Sequence, residues 1–259
     1  MAYTPDYRAY PGAGSAATTA VAMDAGLRAY MLRVYNWMSS GLLLTGIVAY
    51  AMSSSPAVLQ AFYPLVQTQS GAMVHQPSML AWIAMFAPLA FILVLNFGVQ
   101  KLSAQAVQMI FWLYAAAMGA SLMNIFLIYT GESVARVFFI TAGTFAATSF
   151  YGYVTKADLT KMGSFLIMGL FGIILATLVN IFLGSAGLQF AISVLGVLIF
   201  TGLTAYDTQR IKATYIQFAY ADGPQEATKR SVFDALSLYL NFINLFMFLL
   251  QFMGDRRSN

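Results

Sequence analysis

Apolar runs of about 20 residues recur along the chain at 30–53, 79–99, 105–129, 134–155, 162–184, 187–209 and 233–253, separated by short polar segments. A helix rising about 1.5 Å per residue needs roughly 20 mostly apolar residues to cross the hydrocarbon core of a bilayer. Each of the seven runs is long enough. Their apolar residues are contiguous and lack the period-2 alternation of a membrane β-strand. Backbone groups in lipid must be satisfied within the segment or in a closed barrel. The pattern therefore predicts an all-α membrane protein, a seven-transmembrane-helix bundle.

The expected organisation is a flexible cytoplasmic tail over 1–28, marked by Pro5, Pro11, Gly12 and Gly14, then a seven-helix domain over 29–254 and a short C-terminal tail over 255–259. The tail has no apolar core of the kind a cleaved signal carries, so the first span is expected to double as the targeting signal.

Polar positions inside the runs locate the interior. In span seven, Asp234, Ser237, Asn241 and Asn244 are spaced by three, four and three residues, and Gln251 follows seven further on. That spacing stacks them on one helical face. A lone polar stripe on an apolar span points away from lipid, which makes span seven the candidate central helix. Span six carries a shorter face of Thr201, Thr204 and Asp207, with Arg210 one turn on. Asp207 is either an end-of-helix partner of Arg210 or a carboxylate inside a cavity that binds a cation or titrates. Spans three and four are rich in small residues, among them Ala115, Gly119, Ala142, Gly143, Ala146 and Ala147, and are expected inside the bundle because small residues let backbones approach. The Gly143/Ala147 spacing also fits a helix-dimer pattern, with packing inside the bundle the simpler reading.

Composition agrees: hydrophobic residues are 60% of the chain and charged residues 8%, against about 25% charged in soluble domains. The cations set an orientation, since Lys and Arg of short loops are retained in the cytoplasm. With the N-terminus inside, Arg8, Arg28, Arg33, Lys101, Lys156, Lys161, Arg210, Lys212, Lys229 and Arg230 are cytoplasmic, and Arg136, Arg256 and Arg257 are not. An N-in, C-out topology is expected. The scattered cations form no stripe suited to nucleic acid.

The enzyme chemistries lack their parts. Cysteine is absent and His75 is the single histidine, so neither a thiolate nor a histidine cluster is available for a metal. Intramembrane aspartyl hydrolysis needs two carboxylates sharing a proton, and the middle of span seven holds Asn241. No span contains a lysine or histidine to serve as a base or form a Schiff base. Glu132 and Arg136, beside Thr130 and Gly131, read as the capped start of a helix; a screening role for Glu132 at an outer cation entrance is the alternative. Arg33 reads as an anchor reaching the interface.

The run Tyr129–Phe165, the span-six end AYDTQRIK from Ala205 to Lys212 and the run LSLYLNFINLF from Leu236 to Phe246 resemble the bacterial branch of the Bax inhibitor-1 (transmembrane BAX inhibitor motif) family. The similarity extends from about Tyr30 to Gly254. It implies a seven-helix bundle in the bacterial inner (plasma) membrane, with span seven surrounded by the other six. It also implies either a pH-sensitive calcium leak or control of a membrane-anchored AAA protease and protection from stress.

In the family's leak model, an aspartate pair on spans six and seven shares a proton and gates the pore. The first falls on Asp207 and the second on Asn241. Two neighbouring carboxylates cannot both ionise cheaply. An Asp–Asn pair keeps the hydrogen bond but loses that repulsion, so a weaker or shifted pH response is expected, and a site one charge poorer for a divalent cation. Asp234 lies about 10.5 Å along the axis from Asn241, on the same face.

Two readings follow. In the first, the protein is a non-enzymatic leak with no resident cofactor and calcium as the transported ion. Asp207 is then the calcium contact, and Asn241, Asp234, Asn244 and Arg210 line the pathway or its pH sensor. In the second, the protein regulates a membrane protease complex through residues 1–28, and the polar stripe is helix packing.

Overall fold

The computed structural model describes residues 13–68, 71, 73–98, 102–218 and 223–257. The elements in chain order are α1 (Ala13–Ser54), α2 (Pro56–Phe62), β1 (Leu65–Gln67), β2 (Met73–His75), α3 (Met79–Gly98), α4 (Ala104–Leu122), α5 (Ile125–Ile128), α6 (Gly131–Val154), α7 (Thr160–Leu183), α8 (Ala186–Phe218) and α9 (Pro224–Met253).

The apolar runs mark membrane depth better than helix ends. Residues 13–28, read from the sequence as part of a flexible tail, are the first turns of α1, and Leu27 is already buried in the core. Alanine, the strongest helix former, recurs through this stretch and Gly14 is taken into the helix, while Pro5, Pro11 and Gly12 lie outside the described residues. Helix α8 likewise continues past its apolar run to Phe218, and α9 begins at Pro224.

Among the described residues, Ala104–Ile128, Gly131–Val154, Thr160–Leu183, Ala186–Phe218 and Gln225–Met253 are long and apolar enough to cross a membrane. Met23–Ser54 joins them if counted with Pro56–Phe62, which lies beyond a 94° bend. Pro56 sits at the start of α2, where it opens a helix well and disfavours helix in the residue before it. Met79–Leu95 is a shorter apolar helix, with Pro88 inside it. Five spans, or six with the bent pair, thus stand against the seven expected. Between α2 and α3 an exposed antiparallel hairpin pairs Leu65 with His75.

Helix α9 packs against α1, α4, α6 and α8, while α3 lies on α4 and α7 on α8. The span window of α9 is 61% buried inside the protein and that of α7 only 17%. Central placement of α9 follows, with a ring made chiefly by four helices. Its Tyr239 meets Phe111 and Tyr114 of α4 edge to face, at 6.2 and 5.5 Å. The Tyr239 hydroxyl also meets Thr45 of α1 at 2.7 Å.

Helix α6 is less interior than its small residues suggested. Its buried stripe is Ser133, Val137, Thr141, Phe145, Ser149 and Gly152. The backbone of Ala205 in α8 lies where a Cβ on Gly152 would be, so α6 and α8 meet closely there. Gly143 and Ala147 fall on the other side: Ala147 is exposed and nothing lies within 4 Å of a Cβ built on Gly143. That pair is therefore not packed within the bundle.

The C-terminal segment is stitched down. The Thr130 amide donates to the Asp255 carbonyl (3.1 Å) and the Arg257 amide to that of Ile128 (2.9 Å). Arg136, expected beside Glu132, pairs with Asp255 at 2.6 Å, because the chain end returns over the start of α6. Thr130 caps α6 as expected, accepting from the Ser133 amide at 3.3 Å.

Candidate functional site

The polar faces of α8 and α9 meet. Asp207 is 8% exposed, and both its carboxylate oxygens are engaged. Oδ2 accepts from Asn241 Nδ2 at 2.7 Å, and Oδ1 lies 3.0 Å from Arg210 Nη2, one turn along α8. The same Arg210 nitrogen donates to Ser237 Oγ at 3.3 Å, and its guanidinium lies 5.9 Å from the Tyr206 ring centre. One carboxylate is thus held between an amide from α9 and a guanidinium from its own helix. Charge-assisted hydrogen bonds of this kind are about twice as strong as neutral ones.

This cluster borders a cavity of about 570 Å³ between α7, α8 and α9. Asp207, Arg210, Ser237, Asn241 and Asn244 form its polar wall, and α7 supplies an apolar wall that includes Ile167, Leu170 and Ile174. A cavity with one polar wall and one buried carboxylate is suited to a hydrated cation or a proton acceptor, where ionisable groups at membrane depth are expected to act. Asn244 contributes least, since its amide donates to the Leu240 carbonyl of its own helix at 2.8 Å.

Asp234 is placed elsewhere. Its Oδ2 accepts from the Tyr30 hydroxyl of α1 at 2.6 Å, and it does not line the cavity. Gln251, at the far end of the stripe, accepts from Gln189 (2.8 Å) and Ser193 (3.4 Å) of α8. The stripe therefore faces two helices in turn, α1 through Asp234 and α8 through Ser237, Asn241 and Gln251. Among the described residues no group of three or more His, Cys, Asp or Glu side chains is placed to hold a metal. Asp207 would meet calcium as a single carboxylate.

Other sequence candidates are apart from this cavity. His75 is exposed on β2, its Nδ1 2.7 Å from the Tyr63 carbonyl. Glu132 and Arg33 are exposed. Arg8 and Lys101 lie outside the described residues. Lys229 is buried beside Glu226 at 2.9 Å. Before α7, Asp158 accepts from the Thr160 amide at 2.9 Å, and the Thr160 hydrogen bonds hold its carboxyl below the usual carboxylate range.

The contact of Tyr30 with Asp234 and the α7 wall are not legible in the sequence. Tyr30 meets Asp234 across 204 residues of chain, and the α7 residues are apolar like their neighbours. Neither carries a local signal.

An all-α integral membrane protein with a buried carboxylate at a cavity between three of its helices is the class that fold and site define. The family described as "Inhibitor of apoptosis-promoting Bax1" matches residues 27–258, and the chain belongs to this Bax inhibitor-1 family. It is 44% identical over 233 residues to the "Inner membrane protein YbhL" of Escherichia coli, covering 90% of this chain and 94% of that one. An "Uncharacterized protein" of Caulobacter vibrioides is 48% identical over 92% of this chain and 93% of its own length. An uncharacterized membrane protein of Streptococcus pyogenes is 34% identical over 89% and 94%.

Proposed function

We propose that this protein is a non-enzymatic cation leak of the bacterial inner membrane, with calcium as the transported ion. In this reading the chain crosses the bilayer seven times, N-in and C-out. Met23–Ser54 and Met79–Gly98 complete the set, and the cations of Arg28, Arg210 and Lys212 lie on the cytoplasmic side, as the positive-inside rule requires. The observation that carries the reading is Asp207, buried on a cavity wall at membrane depth and bonded across helices to Asn241. Asp207 is the group that meets the ion, Asn241 its positioning partner, and Arg210 the counter-charge that an entering cation displaces. With an amide at 241, the site carries one carboxylate where a pair would share a proton, so its flux responds weakly to pH.

The test is calcium entry into proteoliposomes at several pH values. The parent should leak above empty liposomes, Asp207→Ala should abolish flux, and Asn241→Asp should steepen the pH dependence by adding the second carboxylate. Undiminished flux in Asp207→Ala overturns the reading.

A second reading is supported by the fact that both Asp207 oxygens are already bonded: the cluster is then a helix-packing device in a non-transporting regulator of a membrane-anchored AAA protease. Because α1 begins at Ala13, the informative truncation removes residues 1–12 and leaves that helix whole. Loss of co-purification with the protease, together with absence of flux from the parent, selects this reading.

A further inference from the structure

A second concavity, of about 750 Å³, lies between α1 and α6, with Phe242 of α9 also lining it. It shares no lining residue with the Asp207 cavity, and its volume falls in the roughly 300–1,000 Å³ range of small-molecule sites. Met31, Leu42 and Leu43 of α1 face Ala142, Ala146 and Phe150 of α6 along it. The two alanines leave the space that longer side chains would fill.

The groove has polarity in one direction. From Met31 to Leu43 the lining of α1 spans 12 residues, about 18 Å along the helix axis. That is a little over half of a hydrocarbon core about 30 Å thick, or roughly one leaflet. At the Met31 end stand Arg28 of α1 and Tyr153 of α6. Lys212 of α8 is anchored on that tyrosine: its Nζ donates to the Tyr153 carbonyl at 2.9 Å and sits 4.9 Å from the ring centre. Arg28 therefore lines one mouth of a trough that is otherwise nearly apolar, and Lys212 is held against Tyr153 at that same end. The exceptions are Ser39 and, on its floor, the Tyr35 and Ser149 hydroxyls, which bond each other. Ser149 continues at 2.8 Å to Thr208, the residue after Asp207.

We infer that this groove is a binding site for one anionic glycerophospholipid of the surrounding leaflet, its acyl chain in the α1/α6 trough and its phosphate at Arg28 and Lys212. Charge complementarity and leaflet-length apolar walls choose that occupant over a zwitterionic lipid, which offers the same chain without net charge. A guanidinium matches phosphate oxygens two at a time, and a juxtamembrane basic residue contributes a measurable share of binding to anionic lipid. The inference stands independently of the leak reading.

The test is native mass spectrometry of the full-length protein released from detergent, titrated with phosphatidylglycerol or with phosphatidylcholine of identical chains. One phosphatidylglycerol per chain should be retained, in preference to phosphatidylcholine by about fivefold or more, the worth of one basic group near an anionic surface. Arg28→Gln should erase most of that preference with an unchanged thermal transition, because Arg28 is exposed. Ala146→Phe, which fills the trough, should weaken retention of both lipids. Equal retention of the two lipids by the parent overturns the proposal. So does an undiminished preference in Arg28→Gln, which decides the matter alone if Ala146→Phe does not fold.

Discussion

Helices α7 and α9 flank the same cavity, yet they solve opposite problems. Helix α7 leaves Phe165, Met168, Phe171, Leu175 and Phe182 exposed. Its polar contacts are mostly local: Thr177 donates to the Ile173 carbonyl of its own turn, and Asn180, near the helix end, accepts from the Ser185 amide and donates to Gln189 at the start of α8 at 3.1 Å. Helix α9 is more than three times as buried, and most of its polar stripe finds partners on other helices, Asp234 with Tyr30, Asn241 with Asp207 and Gln251 with Gln189. Lipid tails are as apolar as leucine, so apolar content does not tell a peripheral span from a central one. What separates them is polarity confined to one face.

The comparison breaks first where α9 is packed most tightly. Leu238→Ala removes a side chain that is fully buried on α9, and it should destabilise the protein by about 2–3 kcal/mol. The cavity left behind is costly, whereas the transfer part of the loss is small when the unpacked helix still faces lipid. Thermal unfolding in detergent measures it. A cost below about 0.5 kcal/mol, the range of ordinary surface changes, would mean that α9 is not central.

A smaller effect is expected where the stripe turns toward α1. Tyr30→Phe deletes the hydroxyl that donates to Asp234 and should cost about 1–2 kcal/mol, near the lower range for hydrogen bonds to charged groups. Because neither residue lines the Asp207 cavity, calcium flux through the proposed leak should be unchanged. If flux falls with stability intact, Asp234 belongs to the pathway, as the sequence first suggested.

The class of fold and the central helix were legible because they rest on periodicity. Apolar runs announce spans, and the 234–237–241–244 spacing places a polar face on one side of α9. The pairing of Asp207 with Asn241 was also legible, through the resemblance carried by AYDTQRIK and LSLYLNFINLF. Three features were not. The start of α1 at Ala13 was hidden because Pro5, Pro11, Gly12 and Gly14 favour an irregular tail while the alanines beside them favour helix. The exposure of Gly143 and Ala147 was hidden because small residues serve tight packing and open surface alike. The anchoring of Asp234 by Tyr30 depends on a contact between the first and last helices, for which a single sequence holds no record.

The smallest effect belongs to α7. Leu175 is 64% exposed on the helix, and its side chain faces outward where lipid replaces protein. Leu175→Ala should shift stability by no more than about 0.5 kcal/mol, as for substitutions away from packed features. The same leucine-to-alanine change on α9 is expected to cost several times more, so the pair reads out position in the bundle with the chemistry held fixed. A loss above about 1 kcal/mol at Leu175 has one physical source, protein packed against that face in place of lipid. The covering surface would then come from a second copy of the chain, which sedimentation in detergent distinguishes by a mass that falls to the monomer's in the variant.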